Sequence, residues 1–407
     1  MIRTGSICMS LLLNYIKNDT MKDSSKLTNR DFKDKTNKLS SISTSFSNYG
    51  GVLTKLAQII SYGEGDFTSD VFSKCMSKNS KETTKYLSNI LNKKNDELEF
   101  DSTVYKSGSI GQVHRGKIFN GNLEVVFKVQ YVGLKEDSKS DLFLLDKLLK
   151  FVYNGHNIGN AIIDIKEKIN DEMDFNLEIE NHTIFFNLWN QSSVVSIPQV
   201  YTEYCFENII CIEYLEGEIL GDFIKNSTTT KESHYKIGLK LVEFIFTGIF
   251  IHQLFYSDIH YGNFLVKNKN ELYVLDFGCI HKIDNTLHSY LQSLFYSLYY
   301  EDKELFYSTV IKMEIMNEDM ISNDSRNYMY EYFQDQLEPF ICNRDFEFTD
   351  EWLDKVTEKN IELMGEWNLP KNVVYLNKIF YGLIHILTKL NFKGNCLHIF
   401  KKFFYLI

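Results

Sequence analysis

Tyr256-Ser-Asp-Ile-His-Tyr-Gly-Asn263, followed after a short apolar hairpin by Val274-Leu-Asp-Phe-Gly278, is the stretch on which the fold turns. Asp258 and Asn263 stand five positions apart, the spacing at which a kinase catalytic loop offers a carboxylate to an attacking hydroxyl and an amide oxygen to magnesium. Asp276, in an Asp-Phe-Gly turn after an apolar strand, supplies the second metal ligand. Either piece alone arises by chance in 407 residues. Both in this order, with strand-like residues between them, point to phosphoryl-transfer chemistry.

The composition suits a globular chain. It is 44% hydrophobic and 14% aromatic, ample for a buried core, and its length suggests more than one structural unit. A net charge of −10 excludes an extended nucleic-acid footprint, so any phosphate must be bound locally. Seven cysteines without a C-x-x-C pair fit neither a disulfide scaffold nor a metal cluster, which favours a reducing compartment, the cytoplasm rather than a secreted location. Residues 237–256 approach the length of a membrane span, but Lys240 and Glu243 oppose insertion at about 2.5–3.5 kcal/mol for a charge near the bilayer centre. A core helix over 231–256 that delivers the catalytic loop is the expectation, in a soluble or peripheral protein.

Taken in order, residues 1–48 read as a loosely ordered leader and 49–98 as a helical extension, whose pattern places Lys55 and Gln58 together on one face. Residues 99–215 read as a small lobe of strands. Within it, Lys106-Ser-Gly-Ser-Ile-Gly-Gln-Val113 aligns with a nucleotide loop, with Gly108, Ser109, Gly111 and Val113 as binding candidates and Lys106 in the first glycine place. Small residues are expected there because a Cβ would hold backbone N–H groups away from phosphate oxygens. Lys128 ends Val125-Val-Phe-Lys128, the strand lysine that reaches the phosphates, and it needs a carboxylate partner; Glu172, Asp174 and Glu178 are candidates. Residues 138–153 read as an inserted amphipathic helix, and 197–201 and 209–217 as strands leading to Glu213–Leu215, whose backbone would meet the adenine edge. Residues 216–407 form a helical lobe holding the catalytic loop, and the aromatic segment 396–407 would pack on the protein or touch a membrane surface.

Six motifs in order make the chain resemble the UbiB/ADCK family of atypical protein-kinase-like proteins over roughly residues 50–390. They are Lys55-Leu-Ala-Gln58, Lys106 to His114, Val125 to Gln130, Glu172-Met-Asp174 with Glu178, Asp258 to Asn263, and Asp276-Phe-Gly278. The resemblance implies an α+β, bilobal protein-kinase-like fold: a small β-rich N-lobe, a helical N-terminal extension and an enlarged α-helical C-lobe. It implies ATP and magnesium as cofactors, Asp258, Lys128, Glu178, Lys55 and Gln58 in catalysis, and a role in quinone or lipid metabolism. Lys55 and Gln58 would fold over the nucleotide, with Glu172 and Asp174 anchoring that extension, and Glu178 would pair with Lys128. Departures are the loss of both prolines of D-P-H-P-G-N to Ile259 and Tyr261, in keeping with a chain of three prolines, Ala57 in place of the glycine of K-x-G-Q, and Lys106-Ser107-Gly108 in place of the three alanines of the family's loop. The alternative is a nucleotide-binding pseudokinase acting as a scaffold or switch, which intact Asp258, Asn263, Asp276 and Lys128 oppose. A small-molecule kinase would share the loop but not Lys55, Gln58 and the acidic pair.

Overall fold

The computed structural model describes residues 80–108, 110–136, 138, 170–171, 173–316, 323–366 and 370–404. The expected leader, Lys55 and Gln58, Ser109, Glu172 and nearly all of the inserted helix at 138–153 lie outside the described residues. The chain divides into one unit of Met1–Ile179 with Gln199–Tyr214 and a second of Glu180–Pro198 with Leu215–Ile407.

Among its described residues the first unit places a helix on an antiparallel sheet. Helix α1 (Ser80–Leu91) precedes β1 (Leu98–Phe100), β2 (Lys106–Ser107), β3 (Gly111–Ile118) and β4 (Leu123–Gln130); α2 (Phe175–Trp189) begins in this unit, and β5 (Ile209–Glu213) completes it. The strand order is β1-β3-β4-β5, with β2 on β3. Gly121 and Asn122, at φ 83° and 55°, make the left-handed turn that lets β3 fold straight back as β4. Strand alternation then sorts β4: Val125, Phe127 and Val129 are buried with Leu87 and Leu91 of α1, while Val126 and Lys128 face the other way. Each buried side chain contributes roughly 1.5–3 kcal/mol. The strand expected over 197–201 is not formed. Only isolated bridges occur, Ser196 to Tyr273 and Val200 to Ile212, because Pro198 has no N–H for a ladder.

A polar network ties α1 to β3. Gln112 and His114 are fully buried. Ser80 Oγ donates to Gln112 Oε1 at 2.7 Å, and Gln112 Nε2 donates to Thr84 Oγ1 at 2.9 Å. Gln112 Nε2 also meets His114 Nε2 at 2.9 Å, and His114 Nδ1 meets the Asp101 carbonyl at 2.9 Å. The carbonyl can only accept, so Nδ1 carries the proton and Nε2 accepts from Gln112, a fully satisfied arrangement for neutral imidazole.

The second unit is mainly helical. After β6 (Glu218–Ile219) and α3 (Leu220–Lys225) comes α4 (Lys231–Phe250), started by the Thr230 side chain accepting from Ser233 N–H. It ends at Phe250, six residues short of the expected limit. Gln253 takes φ +54°, and the apolar residues beyond it become β7 (Leu254–Tyr256), paired antiparallel with β10 (Ile280–Lys282). Between them lies the hairpin β8 (Phe264–Lys267) and β9 (Glu271–Val274), turning through Asn268 and Lys269 at φ 51° and 63°. Helices α5 (Asn285–Tyr299), α6 (Lys303–Lys312), α7 (Asn323–Ile341), α8 (Asp350–Glu366) and α9 (Lys371–Lys389) follow, with β11 (Phe346–Glu347) paired to β12 (Lys393–Gly394), and α10 (Leu397–Phe404) last. Phe246 of α4 is the hub, packed against Phe295, Phe340, Phe380 and Phe403. Phe403 lies on α10, so the aromatic C-terminal helix is docked by its buried face, and Lys402 pairs with Glu243 at 2.6 Å. Among the described residues no helix is long and apolar enough to cross a membrane. Burial pushes the Cys205 thiol up to about 11 and Cys396 up to about 12, which keeps both protonated and unreactive.

Burial holds the His114 imidazole below the usual histidine range, against the opposing pull of its backbone partners. Below about pH 6.5 the unfolded chain takes up a proton that the folded chain refuses, so stability falls with pH there and is insensitive to this group above it. Thermal unfolding from pH 5 to 8 is expected to show that fall, and His114→Gln is expected to flatten it; His252, also lowered by burial, leaves a residual slope. Identical slopes in both proteins would contradict the network's role.

Candidate functional site

In the first unit, Lys128 sits mid-strand on β4, opposite Val113 of β3 and Ile210 of β5. Its Nζ donates to Glu178 Oε1 at 2.6 Å and Oε2 at 2.8 Å and lies 5.3 Å from the centre of the Phe175 ring. Glu178 is in the first turn of α2, where a negative charge also suits the helix dipole. That helix is started by Asp174, whose Oδ1 accepts from the N–H groups of Asn176 at 3.0 Å and Leu177 at 3.3 Å. Of the acidic candidates, Glu178 therefore meets the lysine, while Asp174 is exposed and caps the helix; the extension it was expected to anchor lies outside the described residues. Gln130, two residues past Lys128, fixes the approach to α2 by donating to the Met173 carbonyl at 2.6 Å.

The glycine loop is a tight hairpin closed by Gly108 N–H donating to the Gly111 carbonyl at 2.8 Å. The two glycines answer different needs. A Cβ on Gly111 would stand 2.3 Å from the Val129 carbonyl of β4, so glycine is demanded by strand contact; on Gly108 the nearest atom would be 3.6 Å away. Near the expected adenine edge, the Glu213 N–H goes to the Gln199 carbonyl at 2.8 Å and its Oε2 accepts from Gln199 N–H at 3.1 Å. Tyr214 N–H goes to the Glu124 carbonyl at 2.9 Å, and Leu215 opens the second unit.

In the second unit, Asn263 Nδ2 donates to Asp258 Oδ2 at 2.6 Å and to the Asp258 carbonyl at 3.0 Å. With the amide nitrogen so engaged, its Oδ1 is the atom that points elsewhere, as a metal ligand must. The Asn263 carbonyl accepts Leu275 N–H at 2.9 Å, which extends the β8–β9 ladder and sets Asn263 and Asp276 at the same end of the hairpin. Asp276 Oδ1 accepts Gly278 N–H at 3.0 Å, and His260 Nδ1 accepts Gly262 N–H at 3.1 Å. Among the described residues no group of three or more His, Cys, Asp or Glu is placed to hold a metal ion. An Asn–Asp oxygen pair is the kind of set that magnesium completes with phosphates and water.

Two supports of this loop escape sequence reasoning. The first holds Phe277, which is fully buried: His182 lies 4.5 Å from it ring to ring and donates to the Pro198 carbonyl at 2.7 Å, while Asn181 Nδ2 donates to the Phe277 carbonyl at 3.0 Å. The second is α9, whose Lys378 Nζ stands 3.5 Å from Asp258 Oδ1. Ile259 is buried against α9 at Gly382, and Tyr261 packs 5.7 Å from His385. Both residues that stand where the resemblance expects prolines thus lie against α9.

Residues 70–310, more than half of the chain, match the ABC1 atypical kinase-like domain. The chain belongs to this family. A Clostridium pasteurianum protein described as uncharacterized, in the hydrogenase 1 5' region, is 29% identical over 251 residues, 60% of this chain and 46% of that one. The mitochondrial atypical kinase COQ8 of Schizosaccharomyces pombe is 26% identical over 311 residues, 74% of this chain and 50% of COQ8. The chain spans about half the length of both relatives. A Mycobacterium tuberculosis protein solved in complex with erythromycin superposes with a TM-score of 0.65 at 21% identity, covering 92% of this chain and 97% of that one, which shows a shared α+β kinase-like fold.

For this ABC1 member the glycine geometry makes a paired prediction. Gly111→Ala is expected to lower unfolding stability by about 1–3 kcal/mol, because the methyl group meets backbone that cannot give way. Gly108→Ala is expected to stay within about 0.5 kcal/mol of the native protein, as an uncrowded substitution. Equal losses in a denaturant titration would contradict it.

Proposed function

We propose that this chain is an ATP- and magnesium-dependent atypical kinase or ATPase that transfers the terminal phosphoryl group to water or to an acceptor in quinone or lipid metabolism. The observation that carries the proposal is the Asp258–Asn263 contact at 2.6 Å: it fixes a carboxylate and leaves an amide oxygen for a metal, in a chain of the ABC1 family. Lys128, held by Glu178, would take phosphate oxygens, and Asn263 with Asp276 would hold magnesium. Bound magnesium would neutralise charge on the phosphates. Asp258 would orient the attacking hydroxyl and receive its proton, so the protein contributes position and charge with no covalent intermediate. Lys55 and Gln58 are assigned on the family motif alone to regulating access to the nucleotide.

The test is ATP hydrolysis by the purified chain with and without magnesium, in the presence and absence of anionic liposomes. Turnover that requires magnesium and falls at least about 100-fold in Asp276→Asn is the expected outcome, since the variant loses a charged metal ligand. Nucleotide binding without turnover under every condition would replace this proposal with the switch.

A further inference from the structure

One face of α9 runs along the loop that carries the chemistry. Tyr375, Lys378, Gly382 and His385 recur at the three- and four-residue spacing of a single helix face. Tyr375 stacks on His281 at 3.9 Å and 11°, just past the Asp-Phe-Gly turn. A Cβ on Gly382 would lie 2.9 Å from the Ile259 carbonyl, so the missing side chain is what lets the helix lie against the loop. His385 meets Tyr261. Lys378, one turn before Gly382, is thereby aimed at Asp258, in a helix beyond the 70–310 stretch that matches the family.

We propose that Lys378 is a positioning residue for Asp258, holding Oδ1 while Asn263 holds Oδ2, so that the carboxylate keeps the orientation its reaction needs. The inference rests on the phosphoryl-transfer function proposed above. An exposed lysine beside a carboxylate does little, because water screens the pair and the long side chain loses entropy. Here the two side chains are only 21% and 14% exposed, and the helix is fixed by contacts on either side of the lysine. The two holds also differ in kind. At 2.6 Å the Asn263 amide sets direction; at 3.5 Å the ammonium is an ion pair rather than a strong hydrogen bond. Lys378 thus adds a restraint on Oδ1 to the one that Asn263 places on Oδ2.

The test compares native protein, Lys378→Met and Lys378→Arg for ATP turnover, affinity for magnesium–ATP and thermal stability. Lys378→Met is expected to lower kcat about 10- to 100-fold, the scale of a misplaced reacting group, with nucleotide affinity within about twofold, and Lys378→Arg to recover most of the loss. A kcat within twofold of native, or equal failure of Met and Arg variants with a common loss of stability, would overturn the assignment. A double-mutant cycle of Lys378→Met and Asp258→Asn on thermal unfolding tests the pairing without turnover. Tm losses that simply add overturn the positioning role even if the native protein proves inactive, whereas inactivity with strong coupling counts against phosphoryl transfer alone.

Discussion

The hydrogen bond that Asn263 donates to Asp258 at 2.6 Å holds a carboxylate that the proposed reaction needs kept still. A hydrogen bond to a charged group contributes about 1.5–3 kcal/mol, enough to favour one rotamer. Much of the second unit keeps the two residues in place. The β7–β10 pairing closes the chain around them, reinforced by Ser257, whose N–H and Oγ both donate to the Cys279 carbonyl at 3.1 Å. The fully buried Phe277 fixes the other end of the loop.

The first unit meets a different constraint. Lys128 and Glu178 are 22% and 6% exposed as side chains, so desolvation opposes their attraction. A buried pair of this kind is weak evidence for stability, because an apolar pair of equal volume often does as well. Its worth lies in direction: two hydrogen bonds aim the lysine, and they do so next to strands held close by Gly111. The same unit turns Gln112 and His114 inward, into the network that holds α1.

What was legible in the sequence is what chemistry or a turn forces. The proposed metal and phosphate handling would demand particular residue types at short spacing, and it was by spacing that the Asp258–Asn263 and Asp276 segments and Lys128 stood out. The Lys-Asn-Lys-Asn turn reads as a turn because left-handed φ values favour such residues. Where apolar residues run on without a break, as at the end of α4, the change from helix to strand is decided by pairing with Ile280–Lys282, which no local pattern records. Lys378 was illegible for the same reason: its helix looks like any amphipathic helix, and its meaning comes from a loop far away in sequence. The contacts of Ile259 and Tyr261 with α9 were likewise illegible, since their partners lie more than a hundred residues further along the chain.

The most direct single measurement is the thermal stabilisation of the protein by ATP, with and without magnesium. A ligand at about 100 times its Kd adds about 2.7 kcal/mol to the folded state. The account predicts that ATP raises Tm, that magnesium raises it further, and that Asn263→Ala removes the magnesium increment while leaving the ATP shift. Stabilisation by ATP that is the same with and without magnesium in the native protein would contradict it.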